Sequence, residues 1–262
     1  MSIADYGWSA SRASIATGFE PARVLRASGR QASLITDSGE WSAASTQWLL
    51  PGDWVLFDPA AQRIGAVLPR RGVIERKRPG RAAVSQPVAA NVDLALIVQG
   101  LDGDFNPRRL ERYLLLAAAC EVRAAIVLNK RDLLPPGEAE RLAAEVHRRT
   151  GTEVAPISAA NGAGLEQFDA LVRPRETAVL LGSSGAGKST LINALLESQQ
   201  QPTAQVREGD CRGRHTTTSR ELFLLPAGWM MIDTPGLREV EAWDAAGAVD
   251  EVFDEITALA AG

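Results

Sequence analysis

Gly182-Ser183-Ser184-Gly185-Ala186-Gly187-Lys188-Ser189-Thr190 follows the apolar run Thr177-Ala178-Val179-Leu180-Leu181 and leads into Leu191-Ile192-Asn193-Ala194-Leu195-Leu196, which reads as a helix. Strand, glycine-rich loop and helix in that order are the context a phosphate-binding P-loop requires. The glycines let the backbone wrap closely enough for successive N–H groups to point at phosphate oxygens. The helix N-terminus adds its partial positive charge. Lys188 is then expected to reach the β- and γ-phosphates, and the Ser189 hydroxyl to ligate Mg²⁺. The bland alternative is an ordinary glycine-rich turn, and the flanking strand and helix argue against it.

The rest of the composition bounds what such a loop can serve. At 262 residues the chain has room for one large domain and a small one. Its 45% hydrophobic and 23% charged residues match a globular protein. No apolar run approaches membrane-spanning length, so no membrane contact is expected. The start, Met1-Ser2-Ile3-Ala4-Asp5-Tyr6, lacks a basic segment followed by an apolar core, so no signal peptide is expected. Two isolated cysteines, Cys120 and Cys211, do not make a disulfide framework or a zinc site by themselves. A cytoplasmic protein is the simplest reading. A net charge of −4 argues against indiscriminate nucleic-acid binding but allows a local basic patch.

Residues 1–18 are small and polar with little periodicity, and are expected to form a flexible arm. Over residues 19–78 short apolar segments alternate with turn signals: Arg23-Val24-Leu25-Arg26-Ala27, Gln31-Ala32-Ser33-Leu34-Ile35-Thr36, Trp54-Val55-Leu56-Phe57 and Arg63-Ile64-Gly65-Ala66-Val67-Leu68. Some five short strands in sixty residues predict a small β-barrel of the OB type. Trp41, Trp48 and Trp54 are read either as barrel core or as stacking platforms for RNA bases. Residues 70–81 carry six positive charges against one negative, which suits either an RNA-backbone contact or a solvated linker.

Across residues 79–243 apolar runs alternate with helical segments, the signature of a mostly parallel sheet covered on both faces. Val92-Asp93-Leu94-Ala95-Leu96-Ile97-Val98 and Val122-Arg123-Ala124-Ala125-Ile126-Val127-Leu128 read as buried strands. Asn106-Pro107 starts a helix as N-cap and first-turn proline, and a helix over residues 138–149 stops at Gly151. Residues 244–262 are expected to be a C-terminal helical segment, from the amphipathic stretch Val249-Asp250-Glu251-Val252-Phe253-Asp254-Glu255-Ile256.

Three further stretches carry chemistry. Asn129-Lys130-Arg131-Asp132 follows a strand directly, at the edge where open α/β sheets bind ligands. A carboxylate at Asp132 can accept from the N1–H and the exocyclic amine of guanine, a donor pair adenine lacks. Lys130 would lay its stem over the base, and Asn129 would tie neighbouring loops together. Such a site rejects the wrong base because its own polar groups would be left unpaired. Ser158-Ala159 ends another strand, and its backbone can meet the guanine O6. Asp233-Thr234-Pro235-Gly236 follows Trp229-Met230-Met231-Ile232; there Asp233 can hold Mg²⁺ through water, and the Gly236 N–H can meet the γ-phosphate. Between these lies a polar stretch ending Gly213-Arg214-His215-Thr216-Thr217-Thr218. A threonine there, Thr217 or else Thr216, can complete the Mg²⁺ shell and release when the γ-phosphate leaves. His215 either orients the attacking water or is a solvated loop histidine.

Together these motifs resemble those of GTPases in rotated order, the base-reading pair coming before the phosphate loop. With the OB-like segment in front, the chain closely resembles the RsgA (YjeQ) family of circularly permuted ribosome-assembly GTPases. The resemblance rests on Gln86 with Asn91-Val92-Asp93, on Asn129-Lys130-Arg131-Asp132, on residues 182–190, on Gly213-Arg214-His215-Thr216-Thr217-Thr218 and on Asp233-Thr234-Pro235-Gly236. It implies an α/β fold, namely a circularly permuted P-loop GTPase domain behind an OB-type barrel. It also implies hydrolysis of GTP to GDP, stimulated by the 30S subunit, in late subunit maturation, with 16S rRNA as a contact. A monomer is expected. Leu237 stands where many GTPases place a water-orienting glutamine, so intrinsic turnover is expected to be slow. The rival readings are a nucleotide-dependent RNA-binding adaptor with negligible hydrolysis, and an ATPase or nucleoside kinase on the same loop. The family usually ends in a Cys/His zinc module; no Cys or His follows His215, so zinc is not expected in this chain as given.

Overall fold

The computed structural model describes residues 2–12, 15, 17–77, 85–197 and 220–233. Five strands come first: β1 (Glu20–Ser28), β2 (Gln31–Thr36), β3 (Gly39–Ala44), β4 (Trp54–Asp58) and β5 (Arg63–Val67). They pair in the order β1-β2-β3-β5-β4, and β4 returns to β1, which closes a five-stranded barrel. The β3–β5 contact is parallel, Ala44 opposite Arg63, while the other barrel pairs are antiparallel. Closure removes the exposed sheet edges that so small a unit would otherwise present. Alternate residues fill its interior: Ala22 and Val24, Ala32 and Leu34, Val55 and Phe57.

Because the period of a strand is two, the other face of β1 points away from the barrel. That face is buried as well, since it packs on the second domain. Arg23, on this face, is 1% exposed. Its guanidinium donates to Tyr6 O (3.1 Å), Asn91 O (3.2 Å) and Thr177 Oγ1 (3.0 Å) and lies 4.6 Å from the ring centre of Trp54. Burial pushes Arg23 down to about 9, with Asp93 opposing, so the side chain is charged at neutral pH. Asp93 accepts from Thr177 N (2.8 Å), and burial raises its carboxyl above the usual range.

The second domain continues with the hairpin β6 (Ile74–Lys77) and β7 (Ser85–Ala89), then β8 (Leu94–Gly100), α1 (Pro107–Ala119), β9 (Arg123–Asn129), α2 (Glu138–Thr150) and β10 (Val154–Pro156). After these come α3 (Leu165–Asp169), β11 (Thr177–Leu181), α4 (Lys188–Glu197), β12 (Glu221–Leu224) and β13 (Met230–Asp233). The strand order is β10-β9-β8-β11-β13-β12, with every neighbouring pair parallel except β12–β13. All seven residues of β8 are buried, as a strand covered on both faces must be. Ala95 and Ile97 belong to the core that holds Leu110, Tyr113 and Ala117 of α1 and Ala143 and Val146 of α2. Leu94, Leu96 and Val98 share the opposite core with Phe168, Leu191 and Leu195. Asn106 caps α1 by accepting from Arg109 N, and Gly151 ends α2 at φ 67°.

One expectation changes, and two open readings divide. Residues 2–12 are not a loose arm: Ile3 and Tyr6 are buried in the core, and Trp8 packs on Trp54 with ring centres 5.0 Å apart. Small residues mark no loose segment when apolar side chains at intervals can dock. The tryptophans do not act alike, for Trp54 is 1% exposed and Trp48 is 60% exposed, while Trp41 rests on Phe57. The basic stretch is partly structural: Arg70 forks onto buried Asp53, with Nε–Oδ1 at 2.7 Å and Nη2–Oδ2 at 2.8 Å. The barrel and the second sheet are also joined, since β1 pairs with β12 at Arg26 opposite Glu221, and those two side chains form an ion pair. No helix among the described residues is long and apolar enough to cross a membrane.

Candidate functional site

Four parallel neighbours, β10, β9, β8 and β11, and beside them β13, run the same way, so the loops after them leave one edge of the sheet. The strands end there at Pro156, Asn129, Gly100, Leu181 and Asp233. This is where an open α/β sheet forms its ligand crevice.

The glycine-rich loop is built as its composition demands. Gly182, Gly185 and Gly187 have φ of 146°, 81° and 92°, where side chains are strained. A Cβ on Gly182 would sit 2.2 Å from Val98 O. Lys188 donates to the carbonyls of Gly182 (2.6 Å) and Ser183 (2.5 Å), closing the turn, and is the first residue of α4. Ser189 and Thr190 follow in the first turn of that helix, with exposed side chains. Ala186 is buried, whereas Ser184 and Gly185 are exposed.

Asn129 closes the site from the other side. It ends β9, is 2% exposed, donates from Nδ2 to Ala186 O (2.9 Å) and accepts at Oδ1 from Ala159 N (3.0 Å). One amide thereby joins the glycine-rich loop to the loop after β10. The fit leaves no slack: a Cβ on Gly187 would lie 2.1 Å from Asn129 Nδ2. Ser158 is buried with its N–H on Ala163 O (2.8 Å), and its hydroxyl has no hydrogen-bond partner among the described residues.

Lys130 has the left-handed conformation, φ 67°, and its ammonium pairs with Asp102. Arg131 starts a short 3-10 turn, Arg131–Leu133. Its N–H donates to Ile157 O (3.0 Å), and its guanidinium goes to Pro156 O (3.3 Å) and to Glu140. Arg131 thus braces the loop against β10 and α2. Asp132 projects from the same turn with an exposed side chain.

Two residues of the site escaped the motif reading, Asp102 and Asp104, both in the loop after β8. Asp104 accepts from Ser183 Oγ (2.6 Å) and from Arg109 Nη2 (2.8 Å). The hydrogen bond from Lys130 holds Asp102 below the usual carboxylate range. Burial alone would raise Asp104, but the bonds from Ser183 and Arg109 outweigh it and hold it low too. The signal available in the sequence was Asp102-Gly103-Asp104 directly after an apolar strand. Thr216, Thr217, His215 and Gly236 lie outside the described residues, and Asp233 is described only in its backbone, at the end of β13.

A sequence profile of the RsgA GTPase family matches residues 67–243. The chain belongs to the RsgA GTPase family. It is similar to the small ribosomal subunit biogenesis GTPase RsgA of Opitutus terrae, 42% identical over all of this chain and 79% of that protein. The protein of the same name from Leptospira interrogans is 38% identical over 98% of this chain and 76% of its own. Two solved structures share the fold. YjeQ from Thermotoga maritima has a TM-score of 0.62 at 22% identity, covering 83% of this chain and 74% of its own. YloQ, a circularly permuted GTPase, has a TM-score of 0.61 at 21% identity, covering 88% and 77%. Family and fold together make the second domain a circularly permuted P-loop GTPase domain, with an OB-type barrel in front.

Proposed function

We propose that this chain binds GTP with Mg²⁺ at the loop edge, hydrolyses it to GDP and phosphate, and acts in late maturation of the small ribosomal subunit, on the 30S particle and its 16S rRNA. The observation that carries the reading is Asn129, whose single amide holds the glycine-rich loop and the Ser158-Ala159 loop together. In this reading residues 182–190 wrap the phosphates, with Lys188 on the β- and γ-phosphates. Asn129, Lys130 and Asp132 form the guanine side with Ser158 and Ala159, and Arg131 between them braces their loop. Magnesium keeps several waters and takes one or two protein oxygens besides phosphate. A hydroxyl in the first turn of α4 and a carboxylate ending the neighbouring parallel strand β13 suit that demand. Ser189, Asp233 and Thr217 would hold the ion, which neutralises charge developing on the phosphates. Gly236 would meet the γ-phosphate and His215 the attacking water. The relatives named as small ribosomal subunit biogenesis GTPases support the choice of partner. A cytoplasmic monomer is the simplest form compatible with that work.

Leu237 offers no polar group to the attacking water, so turnover by the isolated chain is slow and the ribosome accelerates it. Single-turnover hydrolysis with and without 30S subunits tests this; hydrolysis unchanged by the particle would favour a nucleotide-dependent RNA-binding adaptor. Equilibrium competition tests the base: GTP displaces bound GDP, ATP does not, and Asp132→Asn moves preference from GTP toward XTP. If Asp132→Asn left the guanine preference intact, the base assignment would be wrong.

A further inference from the structure

The loop between β8 and α1, residues 101–106, belongs to none of the nucleotide motifs, yet its side chains reach two of them. Asp102 pairs with Lys130 of the base-side loop. Two residues on, Asp104 takes the hydroxyl of Ser183 in the glycine-rich loop at 2.6 Å and is itself gripped by Arg109 of α1 at 2.8 Å. Asp104 O accepts from the same guanidinium. The backbone makes room for this: a Cβ on Gly100 would lie 2.6 Å from Asp102 Oδ1 and 3.5 Å from Lys130 Cε. Leu101 N donates to Asn129 O (2.9 Å), so the loop starts hydrogen-bonded to the residue before Lys130.

We propose that Asp102 and Asp104 are positioning residues of the nucleotide site, Asp102 fixing Lys130 over the base and Asp104 fixing Ser183 in the phosphate loop. The inference rests on the reading that Lys130 packs against guanine. Lys130 has four rotatable bonds, and a stem lying flat on a base needs its far end anchored. A carboxylate in the next loop supplies that anchor without touching nucleotide. The αL backbone of Lys130 fixes where its stem begins, and Asp102 fixes where it ends. Asp104 acts alike on the phosphate side, where Ser183 follows the glycine that must approach Val98. One short loop, clamped to α1 by Arg109, thereby sets the distance between base-side and phosphate-side elements.

The test is a pair of double-mutant cycles read by equilibrium binding of GDP and GTP to the full chain. Asp102→Ala should weaken GDP and GTP by one common factor, about five- to tenfold, because Lys130 meets the base in both. In a Lys130→Ala background the same change should have no further effect. Asp104→Ala should weaken both nucleotides, lose its effect in a Ser183→Ala background, and be largely rescued by Asp104→Asn, whose Oδ1 still accepts from Arg109 and whose Nδ2 can donate to the Ser183 hydroxyl in place of the present bond. Asp102 and Asp104 have partly exposed side chains, so the variants should keep the wild-type melting temperature within a few degrees. Asp102→Ala acting undiminished on Lys130→Ala would overturn the proposal. Unchanged affinity in Asp102→Ala, with Asp132→Asn still shifting preference to XTP, would overturn it and leave the base assignment standing. If Asp132→Asn shifts nothing, the base assignment falls and this proposal with it.

Discussion

Replacing Arg23 with leucine should loosen the junction between barrel and GTPase domain. The side chain is removed from three acceptors at once: Tyr6 O in the N-terminal segment, Asn91 O before β8, and Thr177 Oγ1 at the start of β11. A buried acceptor left without its donor costs about 1–3 kcal/mol, and the desolvated cation–π contact with Trp54 is worth about 2 kcal/mol. Against this stands the desolvation of the guanidinium, which leucine no longer incurs and which offsets several kcal/mol. All three hydrogen-bond partners are neutral, so no charge is left orphaned, and the balance of these opposing contributions is a loss of about 3 kcal/mol. For a chain of this size that is a fall of roughly 10 °C in melting temperature. Arg23→Lys keeps the charge but cannot span three acceptors, and should fall between. Tryptophan fluorescence during urea unfolding is a suitable assay, because Trp8 and Trp54 pack together beside this guanidinium. The barrel interior, Ala22, Val24, Leu34, Val55 and Phe57, does not include Arg23, so the variant should still fold. An Arg23→Leu protein within about 1 kcal/mol of wild type would refute the clasp, since that is smaller than one orphaned acceptor.

Gly187→Ala should lower GDP affinity at least roughly tenfold, by the strain of a positive φ plus collision with Asn129; Gly185→Ala, with open space around it, should do less, and titration calorimetry separates the two. Asn129→Ala should destabilise the protein by about 2–4 kcal/mol, from Ala186 O and Ala159 N left unpaired in the interior; a thermal shift under 2 °C would contradict it. Asp93 and Asp102 should give stability opposite slopes with pH. Asp93 is raised by burial, so as pH falls below neutral through its raised value the folded state takes up the proton first and stability gains. Asp102 is lowered by its bond from Lys130, so its contribution is present above about pH 3.9 and is lost as pH falls through the lower folded value. Melting profiles between pH 3 and 7 for Asp93→Asn and Asp102→Asn check both signs.

The phosphate loop and the base motif were legible because each is a short run whose backbone demands are local. Three glycines at positive φ and a lysine at a helix start need no knowledge of the rest of the chain. Strand and helix existence followed from period and caps, as at Asn106 and Gly151. What stayed hidden depends on segments distant in the chain. Arg23 reads as a polar residue in a barrel strand, and only the second domain packed on that face makes it buried. Its partners Asn91 and Thr177 lie 68 and 154 residues away. β3 was unpredicted because Gly39-Glu40-Trp41-Ser42-Ala43-Ala44 has no clear alternation, and its pairing with β2 and β5 supplies what propensity does not. Asp102 and Asp104 were missed because a two-carboxylate loop has many uses until its neighbours are known.

The rotated motif order has a simple consequence in the sheet. Counted from the phosphate strand β11 and continued through the chain's start, the spatial order β10-β9-β8-β11-β13-β12 becomes six-five-four-one-three-two. In that count the strand sequence reverses direction between four and one, which are β8 and β11. Ligands of open α/β sheets sit where the order reverses, because the flanking loops turn to opposite faces and leave a crevice. The loop after β11 is the glycine-rich loop, and the loop after β8 is the one carrying Asp102 and Asp104. Rotation moved the place where the chain is cut and left that crevice intact, since each loop is fixed by its strand and not by its rank in the sequence. The hydrogen bond from Ser183 to Asp104 spans the crevice directly, joining residues 79 apart across the reversal. A polar loop there is where the sheet topology alone directs a search for nucleotide-positioning residues, whether or not a motif names them.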